Sequence, residues 1–114
     1  MNIDDIDGIS LDRWVAKAEG IEVKYSTALE AWRIIGEPDE IQWLPHQDWA
    51  QAGPIIEREK IAISPRAGEW TASIADPSEN PNSPVVIAER TGATPLMAAM
   101  RCFVAHRFGE ELPE

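Results

Sequence analysis

Thr94-Pro-Leu-Met-Ala-Ala-Met-Arg-Cys-Phe-Val-Ala-His-Arg-Phe-Gly109 is the stretch on which the fold turns. Thr94 can cap a helix, Pro95 suits the first helical position, and Gly109 supplies a stop, so the pattern predicts a helix over 94–108. Leu96, Met97, Met100, Phe103, Val104 and Phe108 form a broad apolar stripe. The opposite side carries Ala98, Cys102 and Ala105, which are small rather than charged. A helix without a charged face needs cover all round. The favoured reading is a central helix packed on both sides within its own fold. The other is a homodimer formed through the small-residue face.

Cover for that helix has to come from upstream. Ser10 is expected to open a helix over 10–19, with Asp12 near the positive end of its dipole and Gly20 as its stop. Leu11, Trp14, Val15 and Ala18 make its buried stripe, while Arg13, Lys17 and Glu19 face water. Ile21-Glu-Val-Lys-Tyr25 alternates like a strand with one wet face. Ser26 to Gly36 reads two ways, as a helix over 27–35 or as a strand at 31–35. The strand is favoured, because so short a link after Tyr25 suits a hairpin and Gly36 and Pro38 end it. Gly36 to Glu40 is turn chemistry, and Ile41 to Pro45 is extended or looped. Asp48 with Gln51 resembles a capping box, but Gly53-Pro54 interrupts, so one turn at 48–52 and a separate helix over 54–60 are expected. Ile61-Ala-Ile63, Trp70 to Ile74 and Val85 to Ala88 read as further strands, the last pairing with 70–75. Pro65-Arg-Ala-Gly68 makes a hairpin connection, and Asp76 to Pro84 a mobile loop. The expected fold is α+β: an antiparallel sheet of about four or five short strands packed with three helices.

The chain has 114 residues, 10 Lys+Arg, 20 Asp+Glu and one Cys, for a net charge of −10. That length suits one domain, expected over 10–109, between an acidic segment at 1–9 and an acidic tail at 110–114. One Cys makes no internal disulfide. The acidity argues against a broad electrostatic grip on nucleic acid or anionic lipid. Seven of the twenty acids lie in residues 1–12 and 110–114. The remainder of the chain is nearly balanced, at thirteen acids against ten bases. The ends therefore read as solubilising segments. An acidic start and the lack of a long apolar run point to a soluble cytosolic chain, with no membrane span.

Three stretches in order carry a resemblance: Leu11-Asp-Arg-Trp-Val-Ala-Lys-Ala-Glu-Gly20, Asp48-Trp-Ala-Gln-Ala-Gly-Pro-Ile-Ile-Glu-Arg-Glu59 and the 94–109 stretch, together about 38 residues. They resemble the NinX-like family of phage proteins. Ala52 and His46-Gln47 depart from that family's usual residues. The resemblance implies a phage or prophage accessory protein of unknown function. It supplies no catalytic residues to carry over.

No residue set points to an enzyme, and no cofactor is expected. Cys102 and His106 lie one helical turn apart, but two ligands do not make a zinc site. Cys102 as a nucleophile would need His46 or His106 as base, without an orienting acid in view. Glu57 and Glu59 do not share a helix face. Gly92 to Pro95 precedes a helix N-terminus, where Pro95 removes one anion-binding donor. Of the five Trp, Trp14 and Trp70 belong to core faces. Trp43 and Trp49 are expected to be partly exposed, as an interaction surface. The expected role is protein–protein contact with a host or phage protein, without direct nucleic-acid binding. The alternative is an acidic mimic of nucleic acid that inhibits a host nucleic-acid-binding or defence protein.

Overall fold

The computed structural model describes residues 1–36, 41–76, 82 and 85–113. Among them are three α-helices and two three-stranded antiparallel sheets. α1 spans Gly8–Glu19. The first sheet contains β1 (Val23–Ser26), β2 (Ala31–Ile34) and β3 (Gln42–Trp43), in that order. α2 spans Trp49–Glu59. The second sheet is the meander β4 (Ala62–Arg66), β5 (Glu69–Ala75) and β6 (Val86–Gly92), and α3 spans Pro95–Phe108. The single sheet expected from sequence is thus divided. α2 intervenes between β3 and β4 and carries the chain away before the second meander starts.

α3 is the centre of the molecule, as its two apolar sides require. Met100, Cys102, Phe103 and Val104 are fully buried. The small-residue side lies on the second sheet, where Cys102 Sγ stands 3.5 Å from the Ala88 carbonyl. β6 comes so close that a Cβ on Gly92 would stand 2.6 Å from Ala98 N. α1 and α2 cover the other side. The face considered for a homodimer is therefore occupied by the chain's own sheet. Thr94 caps the helix as expected, accepting from Met97 N–H at 3.1 Å.

Ala31–Ile34 is a strand, which removes the helical reading of 27–35. It pairs with β1 in the register Tyr25 to Trp32, and Trp32 in turn faces Trp43 of β3. Residues paired directly share a sheet face. One face therefore carries Val23, Tyr25, Trp32, Ile34 and Trp43, and the other carries Lys24, Arg33 and Gln42. In the second sheet, Ala67 and Gly68, both at positive φ, turn β4 into β5. That is the twist a two-residue hairpin link needs. All of the turn expected over 36–40 but Gly36, and most of the loop expected over 76–84, lie outside the described residues.

Helix boundaries differ in two places. Asp7, not Ser10, opens α1: its carboxylate accepts from Ser10 N–H at 2.7 Å. α2 runs without a break through Pro54. Gly53 beside it meets nothing on its open side, and buried Ala52 and Ile55 anchor the helix on both sides of the proline. Packing thus outweighs one lost helical hydrogen bond. Asp48 caps α2 as expected, but Gln51 does not close a capping box. It accepts from Leu44 N–H and donates to the Gln42 carbonyl, both at 2.6 Å, and so docks the helix onto β3.

The acidic ends do not stand apart from the fold. Ile3, Ile6 and Leu112 are buried in the core. Met1 and Leu112 exchange backbone hydrogen bonds at 2.8 Å in both directions, and Ile3 N–H donates to the Glu110 carbonyl. Arg90 of β6 binds Asp4 and Glu110 at once. The isoleucines spaced among the aspartates bury, and only the acids between them face water.

Candidate functional site

A groove of about 410 Å³ lies beside α1 and is lined by Ile6, Arg13, Trp14, Trp32, Met1, Leu112 and Pro113 among others. Its walls are fixed. Trp32 Nε1 donates to the Ile9 carbonyl at 2.8 Å, which ties the hairpin to the first turn of α1. Trp14 meets Phe108 edge-on at 5.4 Å, and Tyr25 meets Trp32 in the same way at the same distance. The Arg13 guanidinium stands 6.0 Å from the Trp32 ring centre, and the Lys17 ammonium 5.0 Å from that of Trp14. These are cation–π distances. The result is a preformed aromatic trough with cations at its rim, a shape that suits an apolar side chain or planar group.

α1 also carries a polar cluster that ties it to β3 and the loop that follows. Asp12 is 0% exposed, although it sits on a surface helix. Its Oδ1 accepts from the His46 backbone N–H at 2.9 Å, and its Oδ2 lies 2.5 Å from His46 Nδ1. Its own carbonyl accepts from Trp43 Nε1 at 2.8 Å. Burial pushes the Asp12 carboxyl above its ordinary pKa, against the opposing pull of the bonds from His46. The ring of His46 lies against Gly8, where a Cβ would stand 2.6 Å from Nε2. This pair joins α1 to the loop that follows β3, across 34 residues. The sequence carried one signal for it: Asp12 falls in the helical row Leu11, Val15, Ala16, so the apolar spacing already points it inward.

The two tryptophans expected to form an interaction surface part company. Trp43 is 5% exposed, and its indole N–H is consumed by Asp12, so it belongs to the core. Trp49 is 57% exposed and stands at the first residue of α2. Trp14 and Trp32, one read as core and one as a strand residue, instead line the groove. Cys102 is fully buried, and burial pushes its thiol up to about 12, which leaves it inert as a nucleophile. His106 is exposed one turn away, and His46 is engaged with Asp12. Among the described residues, no group of three or more His, Cys, Asp or Glu side chains is placed to hold a metal ion. Glu59 binds Arg58 and Arg107, and Glu57 stays exposed, so the two acids of α2 do not act as a pair.

Comparison with curated proteins gives no match. The family described as Bacteriophage P22, NinX matches residues 2–107, which takes in α1, the β1–β2 hairpin, the Asp12–His46 pair, α2 and all of α3 but its last residue. A match over nearly the whole length places the chain plainly: it belongs to the bacteriophage P22 NinX family.

Proposed function

We propose that this protein is a non-enzymatic phage accessory protein that works by protein–protein contact, with a host or phage protein, in the cytoplasm of the infected cell. The observation that carries the reading is Trp49, 57% exposed on a helix whose first turn is held by the Asp48 cap and the Gln51 bonds. A rigidly mounted, exposed indole is the kind of group that anchors interfaces. Among the described residues, no helix is long and apolar enough to cross a membrane.

The acidic-mimic alternative draws less support. It needs free carboxylates spaced on one face, and many of these carboxylates are engaged. Asp4 and Glu110 bind Arg90, Glu19 and Glu59 bind Arg58, and Glu89 faces Arg66. The test is capture from host lysate on the immobilised protein, in low and high salt, beside Trp49→Ala. The reading expects a stoichiometric partner that resists salt and is lost with Trp49→Ala, since truncating an anchor costs about 2 kcal/mol or more of binding. Equal capture by both proteins, or no partner under either condition, overturns it.

A further inference from the structure

The distribution of cations singles out the groove beside α1. Arg58, Arg66, Arg90 and Arg107 each bind a carboxylate, and Arg101 donates to the carbonyls of Thr91 and Ile6. Among the described residues, Arg13, Lys17, Lys24 and Arg33 have no carboxylate partner, and neither has Lys60 at the far end of α2. Arg13 and Lys17 belong to α1 and stand by the rings of Trp32 and Trp14, whereas Lys24 and Arg33 lie on the β1–β2 hairpin, on the face opposite Trp32. They are also set against one another. Arg13 and Lys17 are one helical turn apart, and Lys24 lies directly opposite Arg33 across the hairpin. Like charges so placed repel. In a chain with twice as many acids as bases, this end keeps cations that its own carboxylates leave unneutralised. Near the groove, Glu111 is held by the Met1 ammonium at 3.5 Å, and Asp7 accepts from the Ser10 N–H.

We propose that the groove receives an acidic segment of a partner protein, which seats an aromatic side chain between Trp14 and Trp32 and sets a carboxylate against Arg13. This rests on the reading that the protein works by protein contact, and adds a second surface with its own chemistry. The two indoles are locked by Ile9 and Phe108, so binding orders little that is not already ordered. The net charge of −10 favours a peptide, with few and localised charges, over a nucleic-acid strand.

Indole N–H signals of the 15N-labelled protein report on the groove directly. The probes are the end-blocked peptides Asp-Glu-Phe-Glu-Asp, Asp-Glu-Gly-Glu-Asp and Lys-Lys-Phe-Lys-Lys, and a short oligothymidine. The acidic phenylalanine peptide shifts Trp14 and Trp32 and leaves Trp43 and Trp49 in place, with saturation near about 1 mM, the range of a single anchor. Arg13→Glu weakens it by about tenfold. Arg13 is exposed, and an unmoved Trp43 signal shows that the variant keeps its fold. No shift at Trp14 and Trp32, an equal response to the glycine or lysine peptide, stronger binding of oligothymidine, or an unchanged affinity in Arg13→Glu overturns the proposal. If the peptide fails while Trp49-dependent capture persists, the groove proposal falls alone. If capture fails while the peptide binds as described, the groove stands and the Trp49 contact falls.

Discussion

Replacing either member of the Asp12–His46 pair separates hydrogen bonding from charge as the source of its hold on the fold. Asp12 has no exposed surface, and residue 46 engages both of its oxygens. His46→Ala removes the ring and leaves a buried carboxylate with one backbone donor, which costs about 3 kcal/mol. Asp12→Ala leaves that N–H and the imidazole unmatched, at about 2 kcal/mol. Asp12→Asn keeps an oxygen for the His46 N–H and a donor for Nδ1, while removing a charge that burial disfavours. Its cost is under about 1 kcal/mol. The pH dependence follows from the raised pKa of Asp12. A carboxyl whose folded pKa exceeds its unfolded value adds stability below the unfolded value and loses it as pH rises through the folded one. Asp12→Asn has no such titration, so it gains on the wild type as pH rises from about 3 to about 7. Urea unfolding followed by tryptophan fluorescence, at constant m-value, measures all three variants. The reasoning is refuted if Asp12→Asn costs as much as His46→Ala at neutral pH, or if it gains on the wild type as pH falls.

Four further outcomes follow from the same structure. Gly8→Ala drives a Cβ into the His46 ring and lowers stability by about 2 kcal/mol in the same urea assay, whereas Ser10→Ala, two residues along and exposed, changes it by less than about 0.5 kcal/mol. Met100→Asp buries an unpaired charge at a fully covered position, and circular dichroism should find the chain unfolded or aggregated. Leu112→Ala empties a core position supplied by the C-terminal segment and costs about 2–3 kcal/mol, where a freely solvated tail would show no change on melting. Cys102 should resist a thiol reagent in the native protein at mildly alkaline pH and react promptly in urea, since a thiol pushed up to about 12 holds almost no thiolate.

What the sequence reveals here is whatever depends on neighbours along the chain. Thr94, Pro95 and Gly109 bracket α3 because capping and proline chemistry are local, and its two-sided apolar pattern already requires a central position. The β1–β2 hairpin is legible from the alternation of 21–25, the short link after Tyr25 and the stop at Gly36, although 27–35 also reads as a helix. Long-range packing is not local, and there the reading falters. Pro54 looks like a break until Ala52 and Ile55 are seen buried on either side of it. Ile3, Ile6 and Leu112 are sparse among acids, so the ends read as solvated, although each fills a core position. Trp43 and Trp49 look alike in sequence. Trp43 packs in the core with its indole N–H on the Asp12 carbonyl, 31 residues away, while Trp49 is exposed. The cations beside Trp14 and Trp32 are likewise visible in sequence, but their lack of carboxylate partners is a property of the folded surface.

The central claim is contact with another protein through surfaces near Trp49 and Arg13. Site-specific photocrosslinking in infected host cells tests it most directly, with the photoreactive residue at position 49, at position 13, and at the exposed hairpin position 69 as a control. The account predicts a discrete protein adduct from positions 49 and 13 and none from 69. No adduct at either of the first two positions, or the same adducts from all three, would contradict it.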